Sequence, residues 1–158
     1  MDPSVIKQLS FVRQLTTNAV KGLSEKELDN VPENFNNNVR WNLGHIYVIQ
    51  EKLAFHAANE AMQLPENFER LFARGTKPND WNEEHPSIDK LLEMLTEQPN
   101  RIQKELGNRI DEKVNEPYTT SSGLTLMTIG EFLSFSLYHE GLHFNTIKLL
   151  KRFSSNHL

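Results

Sequence analysis

Apolar residues recur at helical spacing along most of the chain. Ile6, Leu9, Val12 and Leu15 form a stripe that predicts a first helix from about Ser4 to Leu23. Asp2 suits its N-cap and Pro3 its first position. Ser24 and Glu27 make the capping-box pattern of a short helix ending near Val31-Pro32. Asn36-Asn37-Asn38 opens a second long helix, about Val39 to Asn59. On it Leu43, Ile46, Gln50, Leu53 and Ala57 share a face, with Trp41, His45, Val48 and Ile49 beside them. Between Glu60 and Pro86 the residues Pro65, Gly75, Pro78 and Pro86 interrupt any long element, leaving a loop with a short helix from Asn67 to Ala73. Leu64, Phe68, Leu71, Phe72 and Trp81 give that loop an apolar side, so it packs down as a cover.

Ser87 caps a third helix carrying Leu91, Leu92, Leu95, Ile102 and Leu106, which Pro99 is expected to kink or split. A second connection spans Gly107 to Met127 and turns at Ser121-Ser122-Gly123. The only hint of a strand lies there, around Val114 to Met127. Thr128 and Glu131 form the capping box of a last helix that runs to about Phe153, with Lys148, Lys151 and Arg152 at its negative end. The pattern predicts an all-α, up-and-down four-helix bundle with two long connections, one domain over residues 1–158.

Composition removes several function classes. The net charge of −4 provides no basic field for a nucleic acid. No apolar run approaches the ~18 residues of a membrane span. Met1-Asp2-Pro3-Ser4 lacks the basic and apolar regions of a signal peptide, so a cytoplasmic location is expected. There is no cysteine, which excludes disulfides, thiolate ligands and a thiol nucleophile of the protein's own.

The last helix contains His139-Glu140-Gly141-Leu142-His143, an H-E-x-x-H whose two imidazoles sit one turn apart and can reach one ion. Phe132, Ser136, His139, Glu140, His143, Ile147 and Leu150 form one stripe, so both histidines face inward. A buried pair of imidazoles needs two sets of partners; metal ligation supplies them for both, and hydrogen-bonded core histidines are the alternative. Zinc peptidases with this motif take a third ligand downstream. Here no Asp or Glu follows His143, and Thr146 and Leu149 stand where an extended motif needs Gly and His. The third ligand must come from another helix, and His45, mid-helix among bulky apolar residues, suits it better than His56 near a helix end or His85 in a loop. Gly44 beside it points to a close approach of another element. Glu140 is a candidate general base; an inter-helix ion pair is the other role open to it. Tyr47, Gln50, Ser136, Tyr138 and Asn145 are possible neighbours of the site or its substrate.

The segment N-N-x-x-W-N-x-G-H-I (Asn37 to Ile46) together with the late H-E-x-x-H resembles the DinB/YfiT-like superfamily. Phe72-Ala73-Arg74-Gly75-Thr76-Lys77-Pro78 with Trp81, Pro86-Ser87, and Thr128 to Leu133 resemble it as well. The resemblance implies a four-helix bundle, often a homodimer, with one divalent ion, typically nickel or zinc, held by His45, His139 and His143. Similar proteins include thiol-dependent transferases such as bacillithiol S-transferases. The expected function is thus a metal-dependent enzyme on a small molecule, a thiol S-transferase with a low-molecular-weight thiol cosubstrate or a hydrolase. The alternative is a non-catalytic, stress-associated metal-binding bundle.

Overall fold

The computed structural model describes residues 4–155. The expected cap at Asp2 and Pro3, and His157, lie outside them. The elements are α1 (Ser4–Ala19), α2 (Glu25–Asp29), α3 (Val39–Glu51), a π-helical turn (Lys52–His56), α4 (Phe68–Phe72), a 3-10 turn (Pro78–Asp80), α5 (Ile88–Leu106), β1 (Lys113–Thr119), β2 (Thr125–Thr128) and α6 (Ile129–Ser155). The fold is mainly helical, a four-helix bundle of α1, α3, α5 and α6 with a small hairpin.

Among the described residues the caps sit where the sequence places them. Ser24 and Glu27 satisfy each other's backbone N–H groups at the start of α2. The Asn38 side chain accepts from Trp41 N at 2.7 Å to start α3. Ser87 Oγ accepts from Lys90 N at 3.2 Å. Thr128 Oγ1 accepts from Glu131 N at 3.3 Å while the Glu131 carboxylate accepts from Thr128 N at 3.1 Å.

Two hydrophobic clusters divide the bundle along its length. One gathers Val20, Val39, Leu43, Ile46, Leu91, Leu95, Ile147 and Leu150. The other gathers Ile6, Leu9, Ala54, Phe55, Ile102, Leu106, Phe132 and Leu133. The first therefore takes the C-terminal ends of α1 and α6 and the N-terminal halves of α3 and α5; the second takes the opposite ends. So α1 and α6 run one way, and α3 and α5 the other. The expected alternating up-and-down order is corrected to up-down-down-up, because residues 57–87 carry the chain back along the bundle before α5 begins. Phe68, Leu71 and Phe72 of that crossover insert into the first cluster, which makes it the cover its apolar side implied.

A polar layer separates the two clusters. The buried stripe of α1 is Ile6, Leu9, Arg13 and Thr16, not the expected Ile6, Leu9, Val12 and Leu15, and Leu15 is exposed. The sequence of apolar residues alone hid this, since the inward position is held by a charge. Pro99 does not split α5, which runs unbroken from Ile88 to Leu106. The connection from 107 to 128 contains a real hairpin. β1 and β2 pair antiparallel with Tyr118 opposite Leu126 and Thr119 opposite Thr125, and an irregularity between Lys113 and Tyr118 accommodates Pro117. Gly123, at φ +89°, makes its turn.

Candidate metal centre

The site is built from the middle of α3 and the middle of α6. Asn42 and His45 are one turn apart on α3, and His139 and His143 one turn apart on α6. The two helices run antiparallel, so Asn42 meets His143 and His45 meets His139. His45 is brought to its place by a missing side chain. A Cβ on Gly44 would fall 2.4 Å from the Phe72 ring, so only glycine lets α4 lie this close. At that distance the Phe72 carbonyl accepts a 2.6 Å hydrogen bond from His45 Nδ1. Trp41 stacks on the His45 ring, with centroids 4.5 Å apart and planes 12° apart.

These contacts fix which ring nitrogens are free. His45 Nδ1–H donates to Phe72 O, which leaves a lone pair on Nε2. His143 Nδ1 donates to Asn42 Oδ1 at 2.7 Å, so its Nε2 carries a lone pair too. Asn42 is itself oriented by its amide N–H bonding to the Asn38 carbonyl at 2.8 Å. The ligand-capable nitrogens of His45, His139 and His143 lie within 4.8 Å of one another. His45 Nε2 and His139 Nε2 are 3.3 Å apart. Two nitrogens bound tetrahedrally at about 2.0–2.1 Å stand roughly 3.3–3.4 Å apart, so this separation fits an ion between them. Backing by Phe72 O and Asn42 Oδ1 is the support a metal-ligating imidazole ordinarily has.

Electrostatics agree with this chemistry. Burial pushes His139 down to about 3, with the neighbouring His143 and His45 adding to the shift. Burial, then His45, lowers His143 to about 4. Burial also lowers His45, against the opposing effect of the Phe72 hydrogen bond. All three rings are therefore neutral near pH 7, the form that binds a metal. The donor set of three neutral imidazoles suits a first-row divalent ion and leaves at least one coordination position for another ligand.

That position has somewhere to open. The three histidines line a cavity of about 1310 Å³. Its walls include Ile49, Leu53, Phe132 and Phe135, and the hairpin closes one side through Asn115 to Tyr118 and Leu124. The π-helical turn at the end of α3 contributes Lys52, Leu53 and His56.

Glu140 makes an inter-helix ion pair. Its carboxylate is 1% exposed and receives both Arg13 Nε at 2.9 Å and Arg13 Nη2 at 3.1 Å. It does not line the cavity. From Arg13 the polar layer continues to Gln98 Oε1 at 3.0 Å, from Gln98 Nε2 to Glu51 at 2.8 Å, and from Arg101 to Glu51 at 2.5 Å. It thus crosses all four long helices.

Of the other named residues, Tyr138 lines the cavity. Tyr47 donates to the Gln63 carbonyl, Ser136 to the Leu133 carbonyl, and Asn145 is exposed. His56 is exposed, and His85 is half-buried against Trp81, outside the cluster. Asn42 and the Phe72 carbonyl were missed as supports. For Asn42 a signal existed, a polar residue three before His45 on the same inward face. The Phe72 carbonyl left none, since a backbone atom has no sequence signature.

The sequence model of the DinB superfamily matches residues 8–147. No curated protein matches the chain. The chain belongs to the DinB superfamily.

Proposed function

We propose that this DinB-superfamily protein is a metal-dependent enzyme acting on a small molecule, of the thiol S-transferase type. The observation that carries the reading is the three-histidine cluster lining a large cavity, with ligand-capable ring nitrogens close together and the far sides of His45 and His143 hydrogen-bonded. A nickel or zinc ion there would supply Lewis acidity, lowering the pKa of a water or thiol that reaches it. His45 and His143 would hold it with Nε2, their tautomers set by Phe72 O and Asn42 Oδ1. The apolar walls exclude bulk water and bind the substrate's carbon frame. With no cysteine in the chain, the thiol is a low-molecular-weight cosubstrate. Glu140 is committed to Arg13, so it braces the bundle rather than accepting a proton from substrate.

Metal-assisted hydrolysis is the second reading, supported by the same open position. Metal analysis of protein purified without a His-tag, followed by turnover of thiol–electrophile pairs against simple esters and amides, separates the two. Metal-loaded protein that turns over neither and binds no small molecule in the cavity favours the non-catalytic metal-binding reading.

The partner that fits is a second copy of the chain. Phe11 and Leu15 on α1 and Leu142 and Leu149 on α6 are exposed large apolar residues on two helices that pack side by side. Among the described residues no helix is long and apolar enough to cross a membrane.

A further inference from the structure

The cavity's charges differ from those of the rest of the surface. The chain has 17 basic and 21 acidic residues, and most of its arginines are engaged by carboxylates. Arg13 pairs with Glu140, Arg40 with Asp29 and Glu25, Arg70 with Glu83, Arg101 with Glu51, and Arg109 with Glu60 and Glu112. Arg74 is exposed, lines the histidine cavity, and has no carboxylate partner among the described residues. Lys52, the other cation of the cavity, is held by Glu69 at 2.6 Å. The one acidic residue of the lining is Glu116, on the hairpin.

Arg74 also stands on a built loop. Gly75 turns the chain at φ +91°, and Thr76 N donates to Ala73 O at 3.1 Å. The Thr76 hydroxyl accepts from Trp41 Nε1 at 2.8 Å, and Trp41 is the ring stacked on His45. Trp81 Nε1 fastens the same segment through Leu71 O at 3.0 Å. The guanidinium's base is therefore tied, through Thr76 and Trp41, to an imidazole of the metal centre. Such a fork matches a carboxylate in a bidentate pair.

We infer that the ligand of this cavity carries a carboxylate, bound by the Arg74 guanidinium, on an apolar body that lies along Ile49, Leu53 and Phe135. This deepens the enzyme reading and rests on the cavity being the substrate's site. The test is calorimetric titration of phenylbutyrate and its uncharged amide, phenylbutyramide, into metal-free and metal-loaded protein. Metal-free wild type should bind the carboxylate roughly tenfold more tightly than the amide, the scale of hydrogen bonds to a charged group. Arg74→Ala should abolish the difference, Arg74→Lys should keep part of it, and Arg152→Ala, outside the cavity, should leave it intact. Arg74 is exposed, so these variants fold, which circular dichroism checks. Equal affinities in wild type, no binding of the carboxylate, or a preference surviving Arg74→Ala overturns the proposal. A preference seen only with metal bound assigns the carboxylate to the ion and overturns it as well. Because the decisive arm is metal-free, absence of turnover in the loaded protein would count against the enzyme reading and not against Arg74.

Discussion

The Arg13 guanidinium donates through Nη1 to the Leu95 carbonyl at 2.7 Å. That carbonyl is the one Pro99, lacking an N–H four residues on, cannot serve. A proline that would ordinarily break α5 instead opens an acceptor for a buried cation from α1. The same guanidinium holds Glu140 of α6 and Gln98 of α5, so one side chain closes the polar layer of three helices. The glutamate of the H-E-x-x-H is thus one half of a buried ion pair that ties α6 to α1.

The pair should behave as a buried ion pair in a double-mutant cycle. Arg13→Met strands the Glu140 carboxylate in the core and should cost about 3–5 kcal/mol. The double substitution Arg13→Met, Glu140→Met leaves no charge unpaired there and should be less destabilising than Arg13→Met alone. Urea unfolding of the variants measures this. Glu140→Gln should keep its metal and lose less than about tenfold in turnover, where loss of a general base would cost roughly 10²–10⁴-fold.

Metal content should follow the geometry of the cluster. His45→Ala, His139→Ala or His143→Ala should each strip most of the ion, while His56→Ala and His85→Ala should not. Asn42→Ala leaves all three ligands but frees the His143 ring, and should weaken metal affinity about 10–100-fold. Competition with a chromophoric chelator reads all six variants. Full retention in His45→Ala would remove the cross-helix site.

Gly44→Ala should disturb both the fold and the centre, because the new methyl meets the Phe72 ring. Pushing α4 away also takes the Phe72 carbonyl from His45. Thermal stability and metal affinity should fall together, and Phe72→Ala in the same chain should restore stability in part by vacating the space. A Gly44→Ala protein with unaltered Tm and metal affinity would contradict the close approach.

Acid should destabilise the metal-free protein through this cluster. His139 and His143 sit at about 3 and about 4 in the fold, below the ordinary 6.5. Between those values the unfolded chain binds more protons than the folded one, so stability rises with pH across the window. Their contribution is complete above about 6.5 and is lost as pH falls toward 4 and 3. Thermal melts from about pH 4.5 to 7.5 should show the slope, and His139→Gln with His143→Gln should flatten it. Metal-loaded protein should start more stable and converge on the metal-free curve as protons displace the ion.

Light scattering should give the mass of a dimer in solution. Phe11→Glu or Leu142→Glu, on the exposed faces of α1 and α6, should shift it to monomer without loss of helix signal. A wild-type monomer at high micromolar concentration would exclude this pairing.

The sequence by itself determined the four long helices, the starts of α3, α5 and α6, and the histidines of the candidate centre. Caps and helical stripes are local: Ser24, Asn38, Ser87 and Thr128 act on N–H groups within three residues, and His139 and His143 share a face by helix geometry alone. Gly44 announced a close approach, though not by what. Tertiary structure alone decided that α3 and α5 run parallel, because direction depends on how residues 57–87 cross and pack. It also decided that Arg13 faces inward, since a charge enters a core only where a distant partner waits, here Glu140, 127 positions away. The hairpin that walls the cavity was faint in sequence because two short strands are stabilised by what they close upon. The far-side bonds to Phe72 O and Asn42, which turn three histidines into a candidate centre, exist only once α3, α4 and α6 meet.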